Sequence, residues 1–166
     1  MSETITFAKL PANLAELQAL PEASLENPNA VAALTVAALS AYTTDKNATV
    51  EMLNFLRGPR PLTNYDIQFL ADRFRGKDYL MRSYFAGSSP ENNYTPAQPY
   101  SVVVSEDAHS RDAIGEGYIK LYVKCSGADA PRPIKLRLKP SAGKWYLWEQ
   151  YLLPDIRKPV ALDDWA

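Results

Sequence analysis

The sequence predicts an α+β protein: about four N-terminal helices packed on a C-terminal, mainly antiparallel sheet of about four strands. Three observations predict it. Apolar residues recur at helical spacing through the first half of the chain. From residue 100 onward the apolar period changes to two. Helices precede strands, without the βαβ alternation that would imply a parallel sheet. Hydrophobic residues make up 46% of the 166 positions and charged residues 22%, which suits one globular domain and argues against a disordered chain. The expected organisation is a single domain over 1–166, with a helical half at about 12–82, a loop at 83–99, a sheet half at 100–153 and a tail at 154–166.

The segment "ANLAELQAL" reads as a first short helix. In "NPNAVAALTVAALSAY", Asn27 is an N-cap and Pro28 stands at the first helical position, where a missing N–H costs nothing. Ala30 to Ala41 carries no charge on any face, which predicts a buried central helix with Val31, Leu34, Ala38 and Tyr42 on one stripe. A third helix covers 45–57, with Val50, Leu53 and Arg57 on one side and Met52, Phe55 and Leu56 beside them; Gly58, Pro59 and Pro61 stop it. Thr63 and Asp66 form a capping box for a fourth helix, with Leu62 and Ile67 placed as a hydrophobic staple and Ile67, Leu70 and Phe74 at helical spacing.

In "GYIKLYVKC", Ile119, Leu121, Val123 and Cys125 face one way and Tyr118, Lys120, Tyr122 and Lys124 the other. "RPIKLRLKP" repeats the alternation, with Ile134, Leu136 and Leu138 inward. "PSAG" turns the chain, and "KWYLWEQYLL" returns as a strand apolar on both faces. "PYSVVVSE" is a fourth strand.

The net charge of −1 selects no partner class and disfavours nucleic acid, because a dedicated nucleic-acid domain is strongly basic. The charge is unevenly distributed. Residues 117–144 hold seven Lys or Arg and one acid, whereas residues 84–116 hold one Arg and five acids. The opening "MSETITFAKL" lacks the basic and apolar regions of a secretory signal, and no apolar run is long enough to span a membrane, so a cytoplasmic setting is expected.

No sequence signature of catalysis is present: no nucleophile elbow, no glycine-rich phosphate loop and no paired-cysteine site. His109 stands in the acidic "SEDAHSRDAIGEG", whose spacing matches no metal loop, and it reads as a solvated connection. Cys125 lies on an apolar strand face and reads as a small core residue. Neither a metal nor another cofactor is expected. Lys120, Lys124, Lys135, Arg137 and Lys139 would share a sheet face with Tyr118 and Tyr122, either as a solvated face or as a surface for an acidic protein or small ligand.

The loop "FAGSSPENNYTPAQPY" (85–100) has no apolar period, and its prolines at 90, 96 and 99 stiffen it. It reads either as a rigid crossover or as a binding surface. The ligand- or partner-binding candidates are Arg75, Arg82, Tyr84, Asn92, Asn93, Tyr94, Tyr100, Tyr118 and Tyr122, with Tyr146 and Trp148 adjoining. The leading reading is a non-catalytic binding or protein-interaction module. The alternative is a small-molecule enzyme with a pocket between sheet and helices, for which Arg75, Arg82, Tyr84, Asn93 and His109 are candidates without assigned roles.

The segments "FLRGPRPLTNYDIQFLADRFRGKDYLMRSYFAGSSPENNYTPAQPY", "PRPIKLRLKPSAGKWYLWEQYLLPDIRKP" and "DDWA" resemble a family of bacterial proteins of unknown function found mainly in anaerobic Firmicutes. The resemblance runs from about Leu14 to Trp165. It implies a cytoplasmic bacterial domain and carries no activity, cofactor or catalytic residue. The hairpin "LRLKPSAGKWYLWEQYLL" is also similar to the last hairpin of the cone-shaped NTF2-like fold, which would imply a pocket between a curved sheet and helices; the lack of a strand between the helices departs from that fold.

Overall fold

A computed structural model describes all 166 residues. Along the chain run β1 (Ser2–Phe7), α1 (Leu14–Gln18), α2 (Pro28–Ser40), α3 (Lys46–Arg57), α4 (Asn64–Phe74), β2 (Tyr100–Ser105), β3 (Tyr118–Val123), β4 (Arg132–Lys139) and β5 (Lys144–Gln150). The five strands form one antiparallel sheet in the order β1-β2-β3-β4-β5. The helices lie between β1 and β2 in sequence, so the fold is α+β.

α2 organises the core. Its side chains from Ala30 through Leu39 are all buried. The helix packs on α1's neighbouring turn, on α3 and on every strand of the sheet. The alanines permit this close approach on several sides at once, and the absence of charge on every face is what made the segment legible as a central helix. The buried hydroxyls here are satisfied: Thr35 Oγ1 of α2 donates to the Val31 carbonyl at 2.9 Å, and Thr49 Oγ1 of α3 donates to the Ala38 carbonyl at 2.7 Å. Across the sheet, Val102, Val104, Ile119, Leu121, Val123, Ile134, Leu136 and Leu147 complete one contiguous core of 38 buried residues.

The caps match the sequence chemistry. Asn27 and Asp45 accept from the backbone N–H groups of Asn29 and Ala48, and Thr63 with Asp66 forms a reciprocal capping box. Ile67, expected on the apolar stripe of α4, is instead 39% exposed; Leu70 and Phe74 carry the buried face, and Phe74 stacks on Tyr42 at 4.4 Å.

β1 is an element that the sequence reading does not contain. Its alternation Thr4-Ile5-Thr6-Phe7 buries only Ile5 and Phe7. Two apolar positions are too few to announce a strand, and its partner β2 lies 95 residues along the chain at the Thr6–Ser101 hydroxyl pair. The 85–100 loop is likewise more structured than its composition suggests, with one 3₁₀ turn just before it at Leu80–Tyr84 and another within it at Pro90–Asn92. No helix is long and apolar enough to cross a membrane.

Candidate functional site

The loop candidates fall into two groups. Asn92 completes a small cap: its Oδ1 accepts from Ser89 N–H at 2.9 Å and Thr95 N–H at 3.0 Å, and its Nδ2 donates to the carbonyls of Gly87 and Thr95. Arg82 reaches across the loop and donates to the carbonyls of Tyr94 at 3.1 Å and Asn93 at 3.2 Å. Asn93 is exposed and, with Tyr94, adopts positive φ. The Tyr94 ring is fully buried and its phenol donates to the Arg157 carbonyl at 2.6 Å. Tyr84 is buried too and donates to the Leu152 carbonyl. Burial, and secondarily the Cys125 thiol, holds the Tyr84 phenol far above its ordinary value, so it is a fixed neutral donor. These two tyrosines clamp the chain after β5 against the loop. Arg82 and Tyr100 share a cleft of about 230 Å³ with Phe85 and Pro96. Arg75 stands apart, exposed at the end of α4 and paired with Asp72 at 3.1 Å.

Tyr118 and Tyr122 lie on the outer face of the sheet, away from the buried residues Ile119, Leu121 and Val123 of β3. Cross-strand register places Arg137 beside both Tyr118 and Tyr146, and cross-strand partners share a face. Trp148, two residues beyond Tyr146, shares this face by strand alternation, and a bulge beyond it sets Glu149 opposite Lys135. The Trp148 ring meets Tyr118 edge-on at 5.5 Å. The Arg137 guanidinium sits 4.7 Å from the Trp148 ring centre and 5.2 Å from that of Tyr118, with Lys135 at 4.8 Å from Tyr118. Lys120 lies 5.8 Å from the Tyr122 ring. Burial and then the adjacent Asp107 carboxylate raise the Tyr122 phenol, so Tyr122 marks where this face meets the acidic loop.

A residue that the sequence reading missed completes the arrangement. The α3–α4 connection folds over the free edge of β5 and brings Arg60 3.9 Å above the Trp148 ring, where it also donates to the Trp148 carbonyl. Local chemistry explains the hook. Gly58 ends α3 at φ +60°, and a Cβ there would stand 2.5 Å from the Tyr146 ring. Only glycine allows both the turn and the ring contact. Arg57 Nε then donates to the Arg60 carbonyl at 2.9 Å, fixing the hook from behind. "GPRP" reads in the sequence only as a helix stop; the one available signal was an arginine between two prolines, which has no meaning until Trp148 is found opposite.

Between this hook and the β4–β5 hairpin is a cleft of about 350 Å³. Arg57, Arg60, Arg137 and Lys139 line it together with Pro59, Pro140, Tyr146 and Trp148; no carboxylate, amide or hydroxyl-bearing aliphatic side chain does. Burial, followed by the neighbouring Arg60 charge, pushes the Arg57 guanidinium down from the usual arginine value, against the favourable Asp66 carboxylate 3.5 Å away. No acid lies in salt-bridge range of Arg60, Lys120, Lys124, Lys135, Arg137 or Lys139; the Lys and Arg ion pairs of the protein involve other residues. The acidic segment instead pairs within itself, Glu106 with Arg111 at 2.7 Å and Asp112 with His109 at 3.0 Å.

Cys125 is buried, with its Sγ 3.3 Å from Ser83 Oγ. No group of three His, Cys, Asp or Glu side chains is placed to hold a metal ion. No curated protein and no solved structure matches the chain. One family does: residues 9–160 match the domain of unknown function DUF6935, and the chain belongs to that family.

Proposed function

We propose that the protein is a non-catalytic binding module that holds a small anionic ligand on the outer face of its sheet. The observation that carries this reading is the convergence of Arg57, Arg60, Arg137 and Lys139 on Tyr146 and Trp148, in a cleft lined by no acid. Arg57 has the Asp66 carboxylate as partner, but Arg60, Arg137 and Lys139 have none; like charges held together on an ordered scaffold are costly without a counter-charge, and an anion supplies one. Arg137 and Lys139 donate to no protein acceptor, and one guanidinium N–H of Arg60 reaches a carbonyl, which leaves most of the donors of these cleft-lining cations without a partner. The inner face offers no comparable space, since α2 fills it, so the interior pocket of the NTF2-like analogy is not part of this reading. The 82–100 loop supports the scaffold by clamping the chain that follows β5. The resemblance noted above favours a bacterial, cytoplasmic protein acting as one domain.

Calorimetric titration with inorganic pyrophosphate tests this reading. Binding that weakens with added salt and falls at least about tenfold in Arg137→Gln supports it. Heatless titration of the wild-type protein at low salt overturns it.

A further inference from the structure

The geometry points to a nucleoside phosphate as the ligand of this cleft: a flat heteroaromatic ring joined to one or two phosphates. This rests on the anion-binding reading above and deepens it. The cleft offers two kinds of surface side by side. Arg60, Arg137 and Lys139 present free N–H donors, and the planar guanidinium fork matches phosphate oxygens two at a time. Tyr146 and Trp148, flanked by Pro59 and Pro140, present flat apolar walls at the same place. A bare phosphate would satisfy the cations and leave in water whatever part of those half-buried walls Arg60 and Arg137 do not cover. A simple aromatic carboxylate would cover the walls but bring one charge to the three cations that have no acid partner. A ring carrying a phosphate of charge about −2, or a diphosphate, meets both.

Size separates this from a nucleic-acid strand. The volume of about 350 Å³ lies at the low end of small-molecule pockets, which run from about 300 to 1,000 Å³. The basic stripe also stops at the acidic loop near Tyr122, where Asp107 lies beside the phenol, so no continuous cationic track leads away from the cleft in that direction. The lining explains what the site would not discriminate. It holds no Asn, Gln, Asp, Glu, Ser or Thr to read a base edge, and its arginines and lysine, which can read guanine, are the groups that the phosphates engage. Ring identity should therefore count for little, and phosphate number for more.

The test is titration of the full chain, without divalent metal, with ADP, GDP, CDP, AMP, adenosine, ribose 5-phosphate, pyrophosphate and a dT oligonucleotide. ADP is expected to bind at least about tenfold more tightly than ribose 5-phosphate or adenosine, the low end of what base–aromatic stacking and phosphate contacts contribute. The three diphosphates should agree within about fivefold. Arg137→Gln should weaken ADP at least about tenfold while the protein stays folded with a melting temperature lowered by no more than about 5 °C, because only the contacts of Arg137 with the Trp148 and Tyr118 rings are lost. Ribose 5-phosphate or pyrophosphate binding as tightly as ADP overturns the nucleoside assignment while leaving the anion site standing. Failure of every phosphate overturns both. An oligonucleotide that binds more tightly than ADP overturns the mononucleotide in favour of a strand.

Discussion

The Arg60 guanidinium lies 3.9 Å above the Trp148 ring and donates to the carbonyl of that same residue, 88 positions away in the chain. One side chain thus performs two tasks. It satisfies a carbonyl on the free edge of β5, and it holds a positive charge over an aromatic wall. The same edge receives a second backbone contact where Trp145 N–H donates to the Leu25 carbonyl at 2.7 Å. Covering an edge in this way prevents strand addition by another chain. Arg60→Ala is expected to lower stability by about 1–2 kcal/mol in urea unfolding, from the lost hydrogen bond and cation–π contact. Arg60→Lys keeps the charge without the planar fork and is expected to recover less than half of that loss.

Gly58 makes the hook possible. A side chain there would occupy the Tyr146 ring position and would sit at φ +60°. Gly58→Ala is expected to destabilise by about 1–3 kcal/mol from backbone strain, with ring displacement adding to it. Because Tyr146 lines the cleft, anion affinity should fall in the same variant. Thermal unfolding and pyrophosphate titration of one preparation measure both.

The Tyr94 phenol anchors the chain beyond β5 through the Arg157 carbonyl. Tyr94→Phe is expected to cost about 1 kcal/mol, the net worth of one hydrogen bond, and Tyr94→Ala about 3–5 kcal/mol because the fully buried ring leaves a cavity. Asn93→Ala, at an exposed position, removes a residue suited to left-handed backbone and should cost less than 1 kcal/mol. Denaturant unfolding of the three variants orders them.

Asp66 gives the fold an acid-sensitive element. Burial alone would raise its carboxyl, but the Thr63 backbone N–H and hydroxyl, and then Arg57 and Arg60, outweigh burial and hold it below the ordinary 3.8. A carboxylate depressed in the folded state stabilises the protein above its unfolded pKa, and that contribution is lost as pH falls through the folded value. Asp66→Ala is therefore expected to cost about 1 kcal/mol at pH 7 through loss of the capping box, with the gap from wild type closing below the ordinary 3.8. Unfolding curves from pH 7 down to acid conditions would reveal a gap that stays constant if Asp66 titrates normally.

Much of the fold was legible because its determinants are local. The chargeless stretch around Val31 and Leu34, the Thr63–Asp66 box and the alternation from Tyr118 to Cys125 each carry their signal within a dozen residues. β1 was not legible, because Ile5 and Phe7 acquire their meaning from pairing with Val102 and Tyr100. The aromatic and basic residues of the outer face were visible as a pattern, since Tyr118, Lys135 and Arg137 follow from strand periodicity alone. Arg60 was invisible, because its partner is reached only when the 58–61 hook crosses the β5 edge. The loop was legible as a stiff seam, but its composition could not say that Asn92 turns its amide into its own cap or that Tyr84 and Tyr94 point inward.

The central claim is that anions bind at the hook and hairpin around Trp148. The most direct measurement is an NMR titration with pyrophosphate that follows the three indole N–H signals. The Trp148 signal is expected to shift with saturation and to return as salt is raised, while that of Trp165, 95% exposed in the tail, stays in place. An unmoved Trp148 signal, with shifts instead at Gly87 and Ser88 in the seam, would contradict the account.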